Sequence, residues 1–327
     1  MNKVSKIEIS SKTIIFTVFF ILFLNFLWIV RDLIFSLFIA FIIMSAVKPV
    51  VAFFERGKIP RVISSIIIFI LLFVGLGWLF SSIIPLLIIE TSLLFRQLPA
   101  IISQLDPAIA NTLNLGALNR YLPDITNQAV KIITSVFSNA IFFMSTIFFS
   151  FYFTVEENFI KKLLIKFFDE SKAVEVAIIF EKTEKRLSSW FWGELVLMIV
   201  VGSMTYVGLM LLGIKNALPL AVVAGILEIV PNLGPILSLL PAILITATQS
   251  YFLILPTIAL YTIVQQLENH LIVPLVMKKA VGLNPIITLI ALIIGGRIGG
   301  TLGILLAVPT ALFVETVIIE ILQKNQS

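Results

Sequence analysis

Long apolar runs separated by short polar stretches dominate the first two thirds of the chain. Roughly 20 apolar residues, rising about 1.5 Å each, cross the hydrocarbon core of a bilayer. The runs predicted to be transmembrane helices on this basis are 13–30, 33–47, 62–84, 132–155 and 194–212. Only Arg31 and Asp32 separate the first two runs, which predicts a tight helical hairpin.

Two polar regions interrupt these runs. In residues 85–131 single apolar positions recur among Gln, Asn, Asp and Pro, a pattern typical of amphipathic helices on a membrane surface or against a neighbouring helix. Residues 156–192 mix acidic and basic side chains at helical spacing, which indicates one or two solvated amphipathic helices. We therefore divide the chain into an N-terminal transmembrane scaffold (1–155, with the 85–131 insert), a cytoplasmic amphipathic segment (156–192) and a C-terminal transport region (193–327).

The apolar segments of the last third are shorter and broken. Residues 217–230 and 236–248 flank the sequence PNLGP, and residues 285–294 and 301–322 flank the sequence GGRIGG. Residues 251–267 form a more regular span between these two pairs. The predicted fold class is an all-α, polytopic transmembrane helix bundle with two broken or re-entrant helical hairpins and amphipathic extramembrane helices. A re-entrant hairpin and a full two-pass hairpin both return to the side that they entered from, so the sequence leaves the depth of each open.

Composition excludes a soluble protein. Hydrophobic residues make up 59% of the chain and charged residues 13%, against roughly 45–50% and 25% in soluble domains. The net charge of +5 is spread between apolar segments, which fits membrane orientation rather than nucleic-acid binding. By the positive-inside rule both termini, the 48–61 loop and residues 156–192 are predicted to be cytoplasmic, and the 85–131 insert external.

Neither a metal site nor catalytic chemistry is indicated by the residues. Cysteine is absent and His270 is the single histidine, so thiolate and multi-histidine metal sites are excluded, and we expect no cofactor. The chain has no phosphate-binding glycine loop, HExxH or GxSxG motif. No paired aspartates, Ser/His pair or metal ligands are evident in its spans, as an intramembrane protease would need. We therefore expect a protein that is not an enzyme.

Polar residues beside the helix breaks are the candidates for a substrate or ion pathway. Broken helices leave backbone N–H and C=O groups that are tolerated at membrane depth only inside protein or beside water. The candidates are Glu228, Asn232, Gly234, Pro235, Gln265, Glu268, Asn269, Arg297, Gly303 and Pro309. Glu194, Gln266 and His270 are further polar groups of this region. Glu228 and Arg297 either face a polar cavity or mark segment ends at the headgroup level; His270 with Glu268 forms either a proton relay or a local helix cap.

Three motifs resemble the AI-2E family of transporters. They are LGIKNALPLAVVAGILEIVPNLGPILSLLPA, QQLENHLIVPLVMKKAVGLNPIITLIALIIGG and GTLGILLAVPTALF, and they fall within about residues 208–315. The resemblance implies a multi-pass exporter or permease of the bacterial cytoplasmic membrane, with autoinducer-2 as a possible solute. It also implies a homo-oligomer, with a pentamer as the family precedent. Arg297 departs from the family pattern, which has a small or apolar residue there, and its role stays open.

Three functions remain open from the sequence. The leading one is a secondary transporter that moves a small polar solute by alternating access, with residues 213–315 as the moving part. A variant is a sodium/proton antiporter that uses Glu228 and Glu268. The alternative from another class is a membrane scaffold or assembly protein whose polar regions, 85–131 and 156–192, are docking surfaces.

Overall fold

The described part of the chain is helical, as the sequence predicts. A computed structural model describes residues 10–75, 77–78, 81, 85, 140–156, 158–230, 234–277 and 283–324, and no strand occurs among them. The predicted insert at 85–131 lies outside these residues apart from Pro85. The N-terminal helices are α1 (Ser11–Ile29), α2 (Arg31–Arg56), α3 (Arg61–Gly75), α4 (Ala140–Val155), α5 (Phe159–Leu164) and α6 (Glu170–Leu211). The C-terminal helices are α7 (Ala217–Leu227), α8 (Gly234–Gln249), α9 (Ile254–Leu267), α10 (Val273–Met277), α11 (Pro285–Leu305) and α12 (Ala307–Lys324).

Helices α1 and α2 do not form the predicted hairpin. The helical hydrogen bonding continues across their junction, from the Val30 N–H to the Phe26 carbonyl and from the Ile34 N–H to the Val30 carbonyl. No residue of α1 is buried, so α1 is not packed antiparallel on α2. Two charged residues are too few to turn the chain when neither Gly nor Pro interrupts the helix. The prediction of a tight turn at Arg31 and Asp32 was therefore wrong.

Helix α2 packs against α3 and α4. Val47 and Val51 of α2 share an apolar cluster with Ile68 and Phe69 of α3. Ser36 of α2 and Thr146 of α4 are joined by a buried hydroxyl–hydroxyl hydrogen bond of 2.9 Å. These contacts make α2 the centre of the N-terminal half.

Helix α6 runs without interruption through the predicted boundary between the polar segment and the fifth span. It has 42 residues and is about 63 Å long, and Gly193, where the polar first half meets the apolar second half, lies inside it as a buried helical residue. Ion pairs connect the polar half to α2 through Lys48 and Glu184 (2.7 Å) and to α12 through Lys182 and Glu320 (2.6 Å). The short helix α5 comes first in the predicted amphipathic segment, and the rest of that segment, from Glu170 onward, continues into the span as one long helix that contacts both halves of the protein.

The first broken pair forms a helical hairpin of α7 and α8. Leu220 and Ala224 of α7 lie in one buried cluster with Ala242 and Ile245 of α8. The end of α8 returns to the start of α7, because the Gln249 side chain donates a hydrogen bond to the Gly213 carbonyl (2.7 Å) and accepts one from the Lys215 N–H (2.9 Å). Helix α7 has 11 residues and is roughly 16 Å long, about half the thickness of a hydrocarbon core.

The second broken pair also forms a helical hairpin, and its reversal is a single residue. Gly300 has φ 56° and ψ −136° inside α11, where the flanking residues are helical. Gly295 and Gly303 face each other with their backbones in contact, because a Cβ on either would overlap the carbonyl group of the other. The predicted break over 295–300 is therefore narrower than expected, since Gly295 to Gly299 continue the helix.

The lengths and compositions of the helices suit a bilayer. Within the described residues four helical segments have the length and apolar composition of a membrane span: Ser11–Ile29, Arg31–Arg56, Glu170–Leu211 and Ile286–Leu305, the last of which is folded back at Gly300. Their outward surfaces carry many exposed large apolar side chains, which lipid tails solvate and water does not. The described chain is an all-α membrane protein.

Candidate functional site

Glu228 lies where α7 ends and the first hairpin breaks. It is the C-cap residue of α7, and its N–H donates to the Ala224 carbonyl at 3.2 Å. Pro231 follows three residues later, and a proline disfavours helix at the residue before it. The side chain is only 1% exposed, so the carboxyl group points into protein and not towards the membrane surface. This burial argues against a headgroup-level position for Glu228.

Glu194 belongs to a buried stripe along α6. The stripe repeats at helical spacing and contains Glu194, Leu197, Val201, Thr205 and Leu209. Glu194 is 4% exposed although it carries a carboxyl group. The sequence marks it only as a polar residue near the breaks; its place on an apolar stripe of spacing three to four is the signal that predicts burial.

Glu268 begins a local widening of the helix that follows α9. Helix α9 passes into a single π-helical turn at Glu268–Ile272 before α10 continues. Such turns in otherwise α-helical segments occur frequently at functional sites. Glu268 is 3% exposed, on the same face of the helix as the buried Thr257, Tyr261 and Val264.

Close contact between α6 and α7 brings these carboxyl groups together. A Cβ on Gly202 would lie 3.2 Å from the Ala221 carbonyl oxygen, and a Cβ on Gly225 would lie 2.6 Å from the Met198 carbonyl oxygen. The two backbones therefore touch just before Glu228. The Glu228 and Glu268 carboxyls are close enough to interact directly, and both interact electrostatically with Glu194.

The three carboxyl groups form a site with unused hydrogen-bonding capacity, which we call the glutamate cluster (Glu194, Glu228 and Glu268). One oxygen of each has no hydrogen-bond partner among the described residues. No Lys, Arg or His of the described chain forms an ion pair with them. Two carboxyls share a hydrogen bond only if one carries a proton, because an ionised carboxylate is an acceptor alone. The described residues contain no group of three His, Cys, Asp or Glu arranged to hold a metal ion.

The other candidates of the first hairpin and α9 have different positions. Gly234 lies against the backbone of Leu227 and Glu228, where a Cβ would come within 2.8 Å of the Glu228 nitrogen. Pro235 and Gln265 are half-buried, Asn269 is exposed, and Asn232 lies outside the described residues. His270 is exposed and its ring contacts the Gln266 carbonyl at 3.0 Å, so the structure favours a local helix contact over a relay with Glu268.

The candidates of the second hairpin do not join the glutamate cluster through any contact that the described residues show. Arg297 is exposed near the reversal at Gly300 and makes no ion pair within the described part of the chain. Gly303 is buried in the glycine contact with Gly295, and Pro309 is fully buried at the start of α12. The structure gives Gly303 a packing role and leaves the role of Arg297 as a prediction.

Apolar helices of spanning length and two broken hairpins define a polytopic membrane protein, and its buried acidic cluster is its most unusual feature. The AI-2E family transporter pattern matches residues 17–323, and the chain belongs to this family. It is 29% identical over 322 residues to "Putative transport protein YueF" of Bacillus subtilis, covering 91% of this chain and 86% of that protein. "Putative transport protein YrrI" of the same organism is 21% identical over 95% of this chain and 94% of its own length. "Putative permease PerM" of Escherichia coli K12 is 26% identical over 43% of this chain and 40% of its own.

Proposed function

We propose that the chain is a secondary transporter that moves a small polar solute and is coupled to protons through the glutamate cluster. One observation carries this proposal: Glu194, Glu228 and Glu268 are buried together and no cation of the described chain neutralises them. Buried acidic groups in membrane proteins are costly, and they mark proton relays and ion pathways. The position of Glu228 at a helix break adds backbone carbonyl groups to the same place.

A proton on the cluster changes its charge and its hydrogen bonds together. With one proton, Glu228 and Glu268 share a hydrogen bond; without it, the carboxylates repel each other at close range. Repulsion of this kind favours movement of α7 away from α6 and α9. Alternating access then consists of a shift of the first hairpin between a protonated, closed arrangement and a deprotonated arrangement open to one side.

The solute and the cellular setting belong to the proposal and come from family membership. Relatives are named as transport proteins or permeases, which supports transport without naming a solute. Autoinducer-2 export is the family's best-known activity and the first solute to test. Placement in a bacterial cytoplasmic membrane, cytoplasmic termini and assembly as a homo-oligomer, with a pentamer as the precedent, are proposed with it.

Proton movement in proteoliposomes tests the proposal directly. The purified chain is reconstituted with a pH-sensitive dye inside, autoinducer-2 is supplied on both sides of the membrane, and a potassium diffusion potential drives protons inward. We expect the wild type to acidify the lumen. We expect Glu228→Gln to acidify it at least tenfold more slowly, because a glutamine side chain cannot bind and release a proton as a carboxyl group does. Glu181→Gln is the matched control, since Glu181 is exposed and pairs with Lys185 on the same long helix. Equal rates in both variants would contradict the role of the cluster.

The same vesicles distinguish the other two functions. A sodium gradient without an electrical potential drives proton movement only in a sodium/proton antiporter that uses Glu228 and Glu268. A scaffold or assembly protein moves neither ion, and none of a panel of small polar solutes including autoinducer-2 raises its thermal unfolding temperature. Absence of proton flux, sodium-driven flux and solute uptake in well-folded wild-type protein would overturn the proposed function.

A further inference from the structure

Buried polar side chains without a hydrogen-bond partner concentrate at the glutamate cluster and on one side of it. Buried side-chain oxygens without a partner among the described residues occur in Ser65, Glu194, Thr205, Glu228, Tyr261 and Glu268. Apart from Ser65, all of them lie on α6, at the end of α7, or on the helix formed by α9 and its π-helical turn. Buried polar groups are normally satisfied, so a local concentration of unsatisfied ones calls for a physical cause such as water.

Thr205 differs from the other buried threonines. Thr183, Thr257 and Thr316 are also buried, and each donates its hydroxyl to the carbonyl four residues earlier in its own helix. Thr205 is 1% exposed and makes no such bond. It stands 11 residues after Glu194, three helical turns along the same face of α6. Its hydroxyl is therefore buried and available for a hydrogen bond to water.

Tyr261 presents a second available hydroxyl. It is 5% exposed and packs with Leu209, Leu220 and Ala224, yet its hydroxyl has no partner among the described residues. A buried tyrosine hydroxyl usually has a partner. Tyr261 precedes Glu268 by seven residues, about two turns or roughly 10 Å along the same helix face.

The two hydroxyls lie at a similar level of the bundle. Gly202, one turn before Thr205, lies against the Ala221 carbonyl of α7, and Tyr261 belongs to the same buried cluster as Leu220 and Ala224 of that helix. This level is between Glu228 and the turn that joins α6 to α7, at Leu212–Asn216. The positive-inside pattern predicts that this turn is external.

We propose that Thr205 and Tyr261 hold ordered water between the glutamate cluster and the Leu212–Asn216 turn, and that protons reach the cluster from this end through them. The inference rests on the proposed proton coupling. Each hydroxyl accepts a proton from the water on one side as it releases its own to the water on the other, so no group changes its net charge. The proton path ends at the carboxyl oxygens of the glutamate cluster that have no hydrogen-bond partner among the described residues.

Removal of each hydroxyl tests whether Thr205 and Tyr261 are hydrogen-bonded to water. Thr205→Val and Tyr261→Phe keep the shape of the side chain. If the hydroxyls are dry and unpaired, their removal relieves a buried unsatisfied group and raises the thermal unfolding temperature. If they hold water, the variants lose hydrogen bonds, and we expect an unchanged or lower temperature. A clear rise in both variants would overturn the inference.

Proton flux supplies the functional test, in the vesicles described above. We expect Thr205→Val and Tyr261→Phe each to slow acidification at least tenfold. The controls are Thr257→Val, whose hydroxyl already bonds to the Leu253 carbonyl, and Tyr206→Phe on the same helix as Thr205. If Glu228→Gln abolishes flux while both hydroxyl variants keep rates within twofold of the wild type, this inference fails and the proposed function stands.

Radiolytic hydroxyl-radical labelling of the wild-type protein in vesicles gives a readout that does not depend on transport. Radicals form at bound water, so a buried residue in contact with ordered water is labelled despite its burial. We expect rapid labelling of Tyr261. A wild type without proton flux, sodium-driven flux or solute uptake would refute the proposed function, and failure to label Tyr261 would refute the water path on its own.

Discussion

Replacement of Gly303 by alanine is expected to open the second hairpin. In the structure a Cβ on Gly303 would lie 2.6 Å from the Gly295 carbonyl carbon and would overlap its oxygen. Ordinary contact between carbon atoms is about 3.5–4.0 Å, so the two segments must separate by roughly 1 Å. Both groups are backbone, and no side-chain rotation relieves the overlap.

The free-energy change follows from two opposing effects. Overpacking typically costs 1–3 kcal/mol, and the rigidity of the backbone here places Gly303→Ala near the upper end, at about 3 kcal/mol. Alanine returns about 1 kcal/mol through its higher helix propensity. The expected net loss is about 2 kcal/mol in the free energy of unfolding, or roughly a 30-fold change in the unfolding constant.

Gly296→Ala is the matched control. Its Cβ would lie 3.2 Å from Cγ1 and 3.5 Å from Cδ1 of the Ile304 side chain, with no backbone atom among its near neighbours. We expect this variant to be as stable as the wild type or more stable by up to about 1 kcal/mol. Equilibrium unfolding in mixed micelles, followed by tryptophan fluorescence, measures both variants. A Gly303→Ala protein as stable as Gly296→Ala would refute the close approach of Gly295 and Gly303.

Three further changes test other contacts. Gly234→Ala forces the α8 start away from the backbone of Leu227, and should lower both stability, by about 2 kcal/mol, and proton flux. Arg186→Met removes a partly buried pair with Glu315, and should cost about 1 kcal/mol in thermal or chemical unfolding. Asn284→Ala removes the side-chain cap of α11, and should destabilise the protein by about 1 kcal/mol.

Each of these changes has its own control. Gly75→Ala has open space around the new methyl group, so it should not show the loss of stability and proton flux expected for Gly234→Ala. A double-mutant cycle of Arg186→Met with Glu315→Gln should give a coupling energy of about 1 kcal/mol, and additivity would contradict the pair. Asn284→Asp keeps the capping oxygen. A loss of stability equal to that of Asn284→Ala would rule out the side-chain cap of α11.

The predicted helices agree best with the structure where the pattern is long and uniform. The apolar run 194–212 is helical throughout apart from Leu212, and the helices that flank PNLGP end at Leu227 and begin again at Gly234. Pro and Gly act on the local backbone whatever surrounds them. The junction at Arg31 and Asp32 was misjudged because charge does not end a helix; only backbone geometry or missing hydrogen bonds do. Helix α6 likewise continues through Trp192 and Gly193, since solvation changes there and the helix does not; the division of the chain at this point stays a prediction.

Sequence alone decided that this chain is an apolar all-α membrane protein and that its last third is broken at PNLGP and in the 295–300 region. It also placed Glu228 and Glu268 among ten candidate pathway residues, with Glu228 and Arg297 as the two most unusual. These features depend on local composition and spacing. Tertiary structure decided that Glu194 joins those two residues, that Gly303 faces Gly295, and that Arg297 stays apart from the cluster. Helix spacing gives the face of a residue but not its neighbour, because the neighbour depends on how closely the backbones pack, and here glycines at the α6–α7 contact determine that distance.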